Sequence, residues 1–197
     1  MNNVLRTLAP ICTACDLDGI GIHFLNSGSS HDNVVEPDKV MNILGKASSY
    51  TLGTAKAPSV GKRMKDILKQ HDKRNSKKPV ILLFITDGVS VASGFDDLKK
   101  TIETYATLHR QIGTARKTNF ERKLGIQILQ IGQDQKAKKF FEKLDDGLAK
   151  KGKVADIVDF ITFENMAEKR FCADVLLKCL LGAILDIYDQ KQLEDSS

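Results

Sequence analysis

PVILLFITDGVS, Pro79–Ser90, is the stretch whose reading decides the fold. Val80–Ile85 is six apolar residues in succession, too short for a membrane span and too uniform for a half-exposed strand. It reads as a strand covered on both faces, as at the centre of a parallel sheet. Pro79 fits only at its entrance, because proline lacks the amide that a central strand donates. Thr86, Asp87, Gly88 and Ser90 follow at once. In an open α/β sheet the carboxyl ends of the strands face the ligand crevice, so a carboxylate between hydroxyl residues there is a candidate site for a hard cation. The plainer alternative is a turn at Asp87 and Gly88, with Ser90 or Ser93 capping the next helix.

Working outward, strand and helix patterns alternate. Val4, Leu8, Ile11 and Cys15 recur at helical spacing, so Met1–Cys15 is expected as an amphipathic helix bent at Pro10. Asp16–Gly19 is a turn, Ile20–Leu25 a strand, and Asn26–Ser30 a loop. A short helix starts at Pro37. Gly45–Gly61 reads as a long irregular loop, and Val60, Met64, Ile67, Leu68 and His71 mark a helix ending near Lys73. Phe95, Leu98, Ile102, Tyr105, His109 and Ile112 define another helix. Leu124–Ile131 is a second strongly apolar strand, followed by a helix capped by Asp134. Ile157–Phe163 is a further strand, and Val175–Ile187 a final apolar helix face. This alternation specifies an α/β fold: a doubly wound, mostly parallel sheet with helices on both faces. Residues 1–188 read as a single domain and 189–197 as a polar tail.

Composition narrows the function classes. The 197 residues are 42% hydrophobic, enough for one sizeable core. The net charge of +5 is spread among 25 acids. Lys62–Lys78 is the densest basic run and reads as a solvated helix face and its exit loop. With no tryptophan and no aromatic interleaving, no nucleic-acid partner is expected. No apolar run is long enough to span a membrane, so none is expected as a partner. Cys12 and Cys15 form a C-x-x-C without a second pair at metal spacing, while Cys172 and Cys179 lie two turns apart on one helix face. All four are read as reduced thiols, which implies an intracellular, cytoplasmic setting. His23 is read as a half-buried, hydrogen-bonded side chain rather than a ligand.

The runs KPVILLFITDG, IQILQIG, FFEKLDDGL and ADIVDFITF, in this order, resemble a von Willebrand factor type A (vWA) domain of the kind common in fungal proteins. VLRTLAPICTACDLDGIGIHFLN is similar to the first helix and second strand of that group, so the resemblance covers about Met1 to Ile187. It implies a Rossmann-like vWA fold and a non-enzymatic, adhesion-type module that binds a protein ligand at its top face. It also implies a metal-ion-dependent adhesion site built from D-x-S-x-S after the first strand, a threonine in a later loop, and the aspartate of TDG. Asp87 matches the last. GTAKAPSVG stands where the threonine loop belongs, with Thr54 the choice and Ser59 the runner-up. Ser27, Thr86, Gly88 and Ser90 complete the expected ligand face.

D-x-S-x-S is absent, and the chain starts on the helix that should follow it. In the family that first strand is central, between Ile20–Leu25 and Val80–Ile85. Its loss leaves two strands without a partner on one edge. Truncation, a strand supplied by a partner and direct pairing of the flanking strands all account for it; truncation is the preferred account. Mg²⁺ is accordingly expected to bind weakly or not at all. The competing reading is a doubly wound nucleotide- or phosphoryl-binding enzyme, or a receiver-like domain using Asp87. Against it, there is no G-x-G-x-x-G, no P-loop and no nucleophile–base pair at the strand ends.

Overall fold

The apolar runs form strands and the helical stripes form helices in the computed structural model, which describes residues 2–25, 28–46, 59–73, 79–88, 94–115, 124–150, 154–162, 178 and 180. In chain order the elements are α1 (Asn2–Cys15), β1 (Ile20–His23), β2 (Ser30–Val34), α2 (Pro37–Gly45) and α3 (Val60–Lys73). Then come β3 (Val80–Thr86), α4 (Phe95–Ala115), β4 (Leu124–Gln130), α5 (Gln135–Lys150) and β5 (Val158–Thr162). The chain is a mixed α/β protein. Most of the segment read as the long loop, most of the final helix and the tail lie outside the described residues.

β3, β4 and β5 form a parallel sheet in that order. β3 runs beside β4 from Val80–Leu124 to Thr86–Gln130, and β4 beside β5 from Ile126–Val158 to Gln130–Thr162. Because side chains alternate across a strand, one register puts two sets of residues on two faces. Phe84, Ile126, Ile128 and Val158 pack with Met64, Leu68, Leu98, Ile102, Phe141 and Leu144 of α3, α4 and α5. Leu83, Ile85, Leu129 and Ile161 instead meet Leu8 and Cys12 of α1, together with Leu180. Every residue of β4 is buried, as expected of a strand covered on both faces. Two of them are polar: Gln127, fully buried, donates from Nε2 to the Asp159 carbonyl at 3.3 Å, and Gln130 lies at the strand's carboxyl end.

Ile20–Leu25 does not belong to this sheet. Its strand, β1, pairs antiparallel with β2 in a separate two-stranded sheet. The expected place in the parallel sheet is thereby corrected, and β2 begins at Ser30, the last residue of the expected loop. Register shifts between Ile20 and Ile22, which pair with Val34 and His31. The extra residue on β2 is accommodated where Asn33 adopts φ 56°, a left-handed conformation that asparagine tolerates. The hairpin has its own small core, with Ile20, Ile22 and Phe24 against Ala9 of α1 and Val40 and Ile43 of α2. Gly19, at φ 85°, closes the preceding turn by donating to the Asp16 carbonyl at 2.9 Å; a Cβ there would collide with the Asn33–Val34 backbone.

Phe84, Ile128 and Leu144 are buried, whereas Phe140 and Leu180 are only half-buried. Phe140 lies against Phe95, stacked at 4.1 Å, at the rim of the aromatic cluster, while the neighbouring Phe141 takes its centre. Within the basic run, Arg63 is buried rather than solvated. Its Nε donates to the Phe24 carbonyl at 3.2 Å, and one terminal nitrogen donates to the Ser29 carbonyl at 3.1 Å and to Ser30 Oγ at 2.9 Å. The Ser29 carbonyl also accepts the Phe24 amide at 3.2 Å, and a forked guanidinium suits several acceptors gathered at one turn.

Candidate functional site

β3 delivers Thr86 buried and Asp87 exposed at the carboxyl edge of the parallel sheet. The chain must turn sharply here, because Ile131, just past β4, donates its amide to the Thr86 carbonyl at 2.8 Å. Thr86 Oγ1 accepts the Gly88 amide at 3.0 Å, so this hydroxyl of the expected ligand face helps to hold the turn. Gly88 sits at φ 89°, and a Cβ there would lie 2.6 Å from the Cβ of Ala137. A Cβ on Gly132 would run into the Asp87 carbonyl. Two glycines thus let the β3 and β4 ends and the start of α5 close around the Asp87 backbone while its carboxylate faces solvent.

The floor of this edge is polar. Gln130, 1% exposed, donates from Nε2 to the Asp134 carbonyl at 3.0 Å, and its Oε1 has no hydrogen-bond partner. Asp134 caps α5 as expected: its Oδ1 accepts the Ala137 amide at 2.7 Å. Sequence reasoning missed Gln130 and Gly132 as site neighbours. Gln130 had only its position at the strand end as a signal, and Gly132 only its place after an apolar run.

The other expected site residues fare differently. Ser59 stands just before α3, and its Oγ accepts the Lys62 amide at 3.3 Å, the bond of an N-cap. It lies against Gly94, just before α4: a Cβ on Gly94 would be 3.9 Å from the Ser59 Cβ. The N-termini of α3 and α4 meet here; Gly61 abuts the Asp97 backbone and its carbonyl accepts from Thr101 Oγ1 at 3.2 Å. Thr54, Ser27 and Ser90 lie outside the described residues. Among the described residues no group of three or more His, Cys, Asp or Glu side chains is arranged to hold a metal ion.

The C-x-x-C occupies the last turn of α1, with Cys12 half-buried and Cys15 exposed. Burial, reinforced by Cys15, pushes the Cys12 thiol up to about 11, away from the thiolate that a zinc site uses. At pH 8 roughly one Cys12 in a thousand is then ionised, against about one in four for a free cysteine. Iodoacetamide at pH 8 should therefore alkylate Cys12 about a hundredfold more slowly than a cysteine peptide, and faster by about tenfold per pH unit up to pH 10. Peptide mapping by mass spectrometry reads both rates, and equal rates at pH 8 would contradict the burial of this thiol.

Among the described residues no helix is long and apolar enough to cross a membrane. Comparison with protein families, curated proteins and solved structures finds no match to this chain.

Proposed function

We propose that this chain is a non-enzymatic, protein-binding module of the vWA type, with its ligand face at the carboxyl edge of the parallel sheet and only a partial metal-ion-dependent adhesion site. The observation that carries the reading is Asp87: a solvent-facing carboxylate on a turn fixed by Thr86, Gly88 and Gly132 at the ends of β3 and β4. A rigid backbone under one exposed acid suits recognition, because little ordering remains to be done on binding. Against phosphoryl chemistry, the adjacent end of β4 presents Gln130, which carries no charge to meet a phosphate.

Two measurements test this. Isothermal titration of the chain with Mg²⁺ is expected to show a dissociation constant on the order of 1 mM or weaker, unchanged by Asp87→Ala. Micromolar binding lost in that variant would mean that the site is complete. Incubation with labelled acetyl phosphate is expected to leave Asp87 unmodified; an acyl phosphate there would replace the binding-module reading with a receiver-like one.

A further inference from the structure

Arg63 carries its charge into a place that supplies no counter-charge. It is 8% exposed, and it donates to the Phe24, Gly28 and Ser29 carbonyls and to Ser30 Oγ, all of them neutral acceptors. Among the described residues no acid pairs with it. A buried cation is normally matched by an anion, because burial strips its water. The helix adds to that demand. Lys62 and Arg63 stand in the first turn of α3, which contains no acid, although the positive end of a helix dipole attracts anions and repels cations.

Ser30 brings this charge to the surface. The residue is exposed at the start of β2, and its Oγ lies 2.9 Å from a terminal nitrogen of Arg63 and 3.0 Å from His23 Nδ1. His23 is its cross-strand partner on β1. The other ring nitrogen, Nε2, and Asp32 Oδ1 lie 3.0 and 3.4 Å from the point where a Cβ on Gly21 would stand. One exposed hydroxyl is thus held between a guanidinium and an imidazole, with a carboxylate near the outer side of the ring.

We infer that Ser30 is a phosphorylation site, and that its phosphate is received by Arg63 and His23, which fastens the β1–β2 hairpin to α3. The donor is a nucleoside triphosphate acting through a protein kinase. The kinase's base takes the hydroxyl proton and Oγ bonds to the γ-phosphorus. The bond from that phosphorus to its bridging oxygen breaks, and the nucleoside diphosphate leaves. The product places about −1.5 to −2 of charge and three acceptor oxygens beside the buried guanidinium. A guanidinium forks to a phosphate. A protonated imidazole donates from both nitrogens, so it serves the phosphate through Nδ1, and its charge offsets the nearby Asp32. None of these residues belongs to the Asp87 site, so either reading can fail without the other.

Two experiments on the whole chain test it. Labelled ATP, with a serine kinase that accepts an acid two residues downstream, should put phosphate on Ser30, mapped by mass spectrometry. Ser30→Ala should take none within residues 20–34. Transfer to Ser29 instead, or none in this segment, overturns the inference. In the second experiment phosphoserine is installed at position 30 during synthesis. Amide exchange over Ile20–Val34 should slow about tenfold or more, the effect of one charge-assisted hydrogen bond, while β4 changes little. The ³¹P titration of the phosphate should move to lower pH than that of a free phosphoserine peptide, because a nearby cation favours the dianion. Arg63→Gln should reverse most of both effects. His23→Gln leaves the α3 contact in place and should reverse part of them, so the reading does not depend on a variant that loosens the hairpin. Exchange that is unchanged or faster, or a titration that matches the free peptide, overturns the inference. So does inorganic phosphate that slows the same amides of the unmodified chain, which would assign the site to a free anion.

Discussion

Phe141→Ala is expected to lower the free energy of unfolding by about 3–5 kcal/mol, the range for removing a buried aromatic ring. Phe141 is fully buried on α5. It touches Phe140 and Phe160 with ring centroids at 5.4 Å, and Phe84 and Phe95 edge-on at 6.2 Å. Those partners come from β3, α4, α5 and β5, so the ring joins four elements that the chain supplies far apart in sequence. Its loss leaves a cavity that cannot collapse without moving the sheet against α5, which puts the cost toward the upper end. Phe140→Ala serves as the internal comparison: the ring next to it is half-buried and should cost clearly less. Urea unfolding of both variants reads the difference, and equal losses would show that the cluster has no centre.

Arg63→Ala is expected to cost about 3 kcal/mol, from two good charge-assisted hydrogen bonds at about 1.5–3 kcal/mol each less the partial rehydration of the carbonyls. The larger consequence is local. Arg63 joins α3 to the turn of a hairpin that lies 33 to 39 residues earlier in the chain. Without it, the Phe24 and Ser29 carbonyls lose the guanidinium, and the hairpin keeps its own backbone bonds and the small core it shares with α1 and α2. Amide exchange in Ile20–Val34 should quicken more than in β4, and Arg63→Lys should rescue little, since an ammonium cannot fork to both carbonyls. Uniform acceleration across both sheets would show that the two unfold as one unit.

Helices and the three parallel strands were legible in the sequence because their burial is periodic or continuous. α4 repeats by three and four from Phe95, and β3 and β4 are unbroken apolar runs. β2 was not legible: SHDNV contains one apolar residue, and the bulge at Asn33 removes what alternation remained. The partner of β1 was not legible either. An apolar strand states that it will be covered, and the backbone bonds that choose its neighbour carry no side-chain signature. The parallel expectation for β1 came from treating all apolar strands alike. Arg63 looked like its exposed neighbours on α3 because its role depends on a turn that local sequence does not bring near. At the site, Asp87 was legible from the end of its strand. The tight approach of Gly132 to the Asp87 carbonyl was not, since it arises only when β3 and β4 lie side by side.

Gln127 bears on how the chain finds a single alignment of its strands. Hydrophobicity encodes register when one face of a strand is wet, since a one-residue slip then exposes the apolar side. β4 has no wet face, so a slip of two residues along LGIQILQ would exchange one apolar neighbour for another at little cost. The amide of Gln127 changes that. Within the sheet its Nε2 finds the Asp159 carbonyl, and an alignment that left it without an acceptor would cost about 1–3 kcal/mol. Even in place its Oε1 has no partner, so the residue lowers the stability of the native sheet and penalises every alignment that satisfies it less well. Gln127 is the strand's address label, written in the polar atoms that an otherwise oily sequence can least hide.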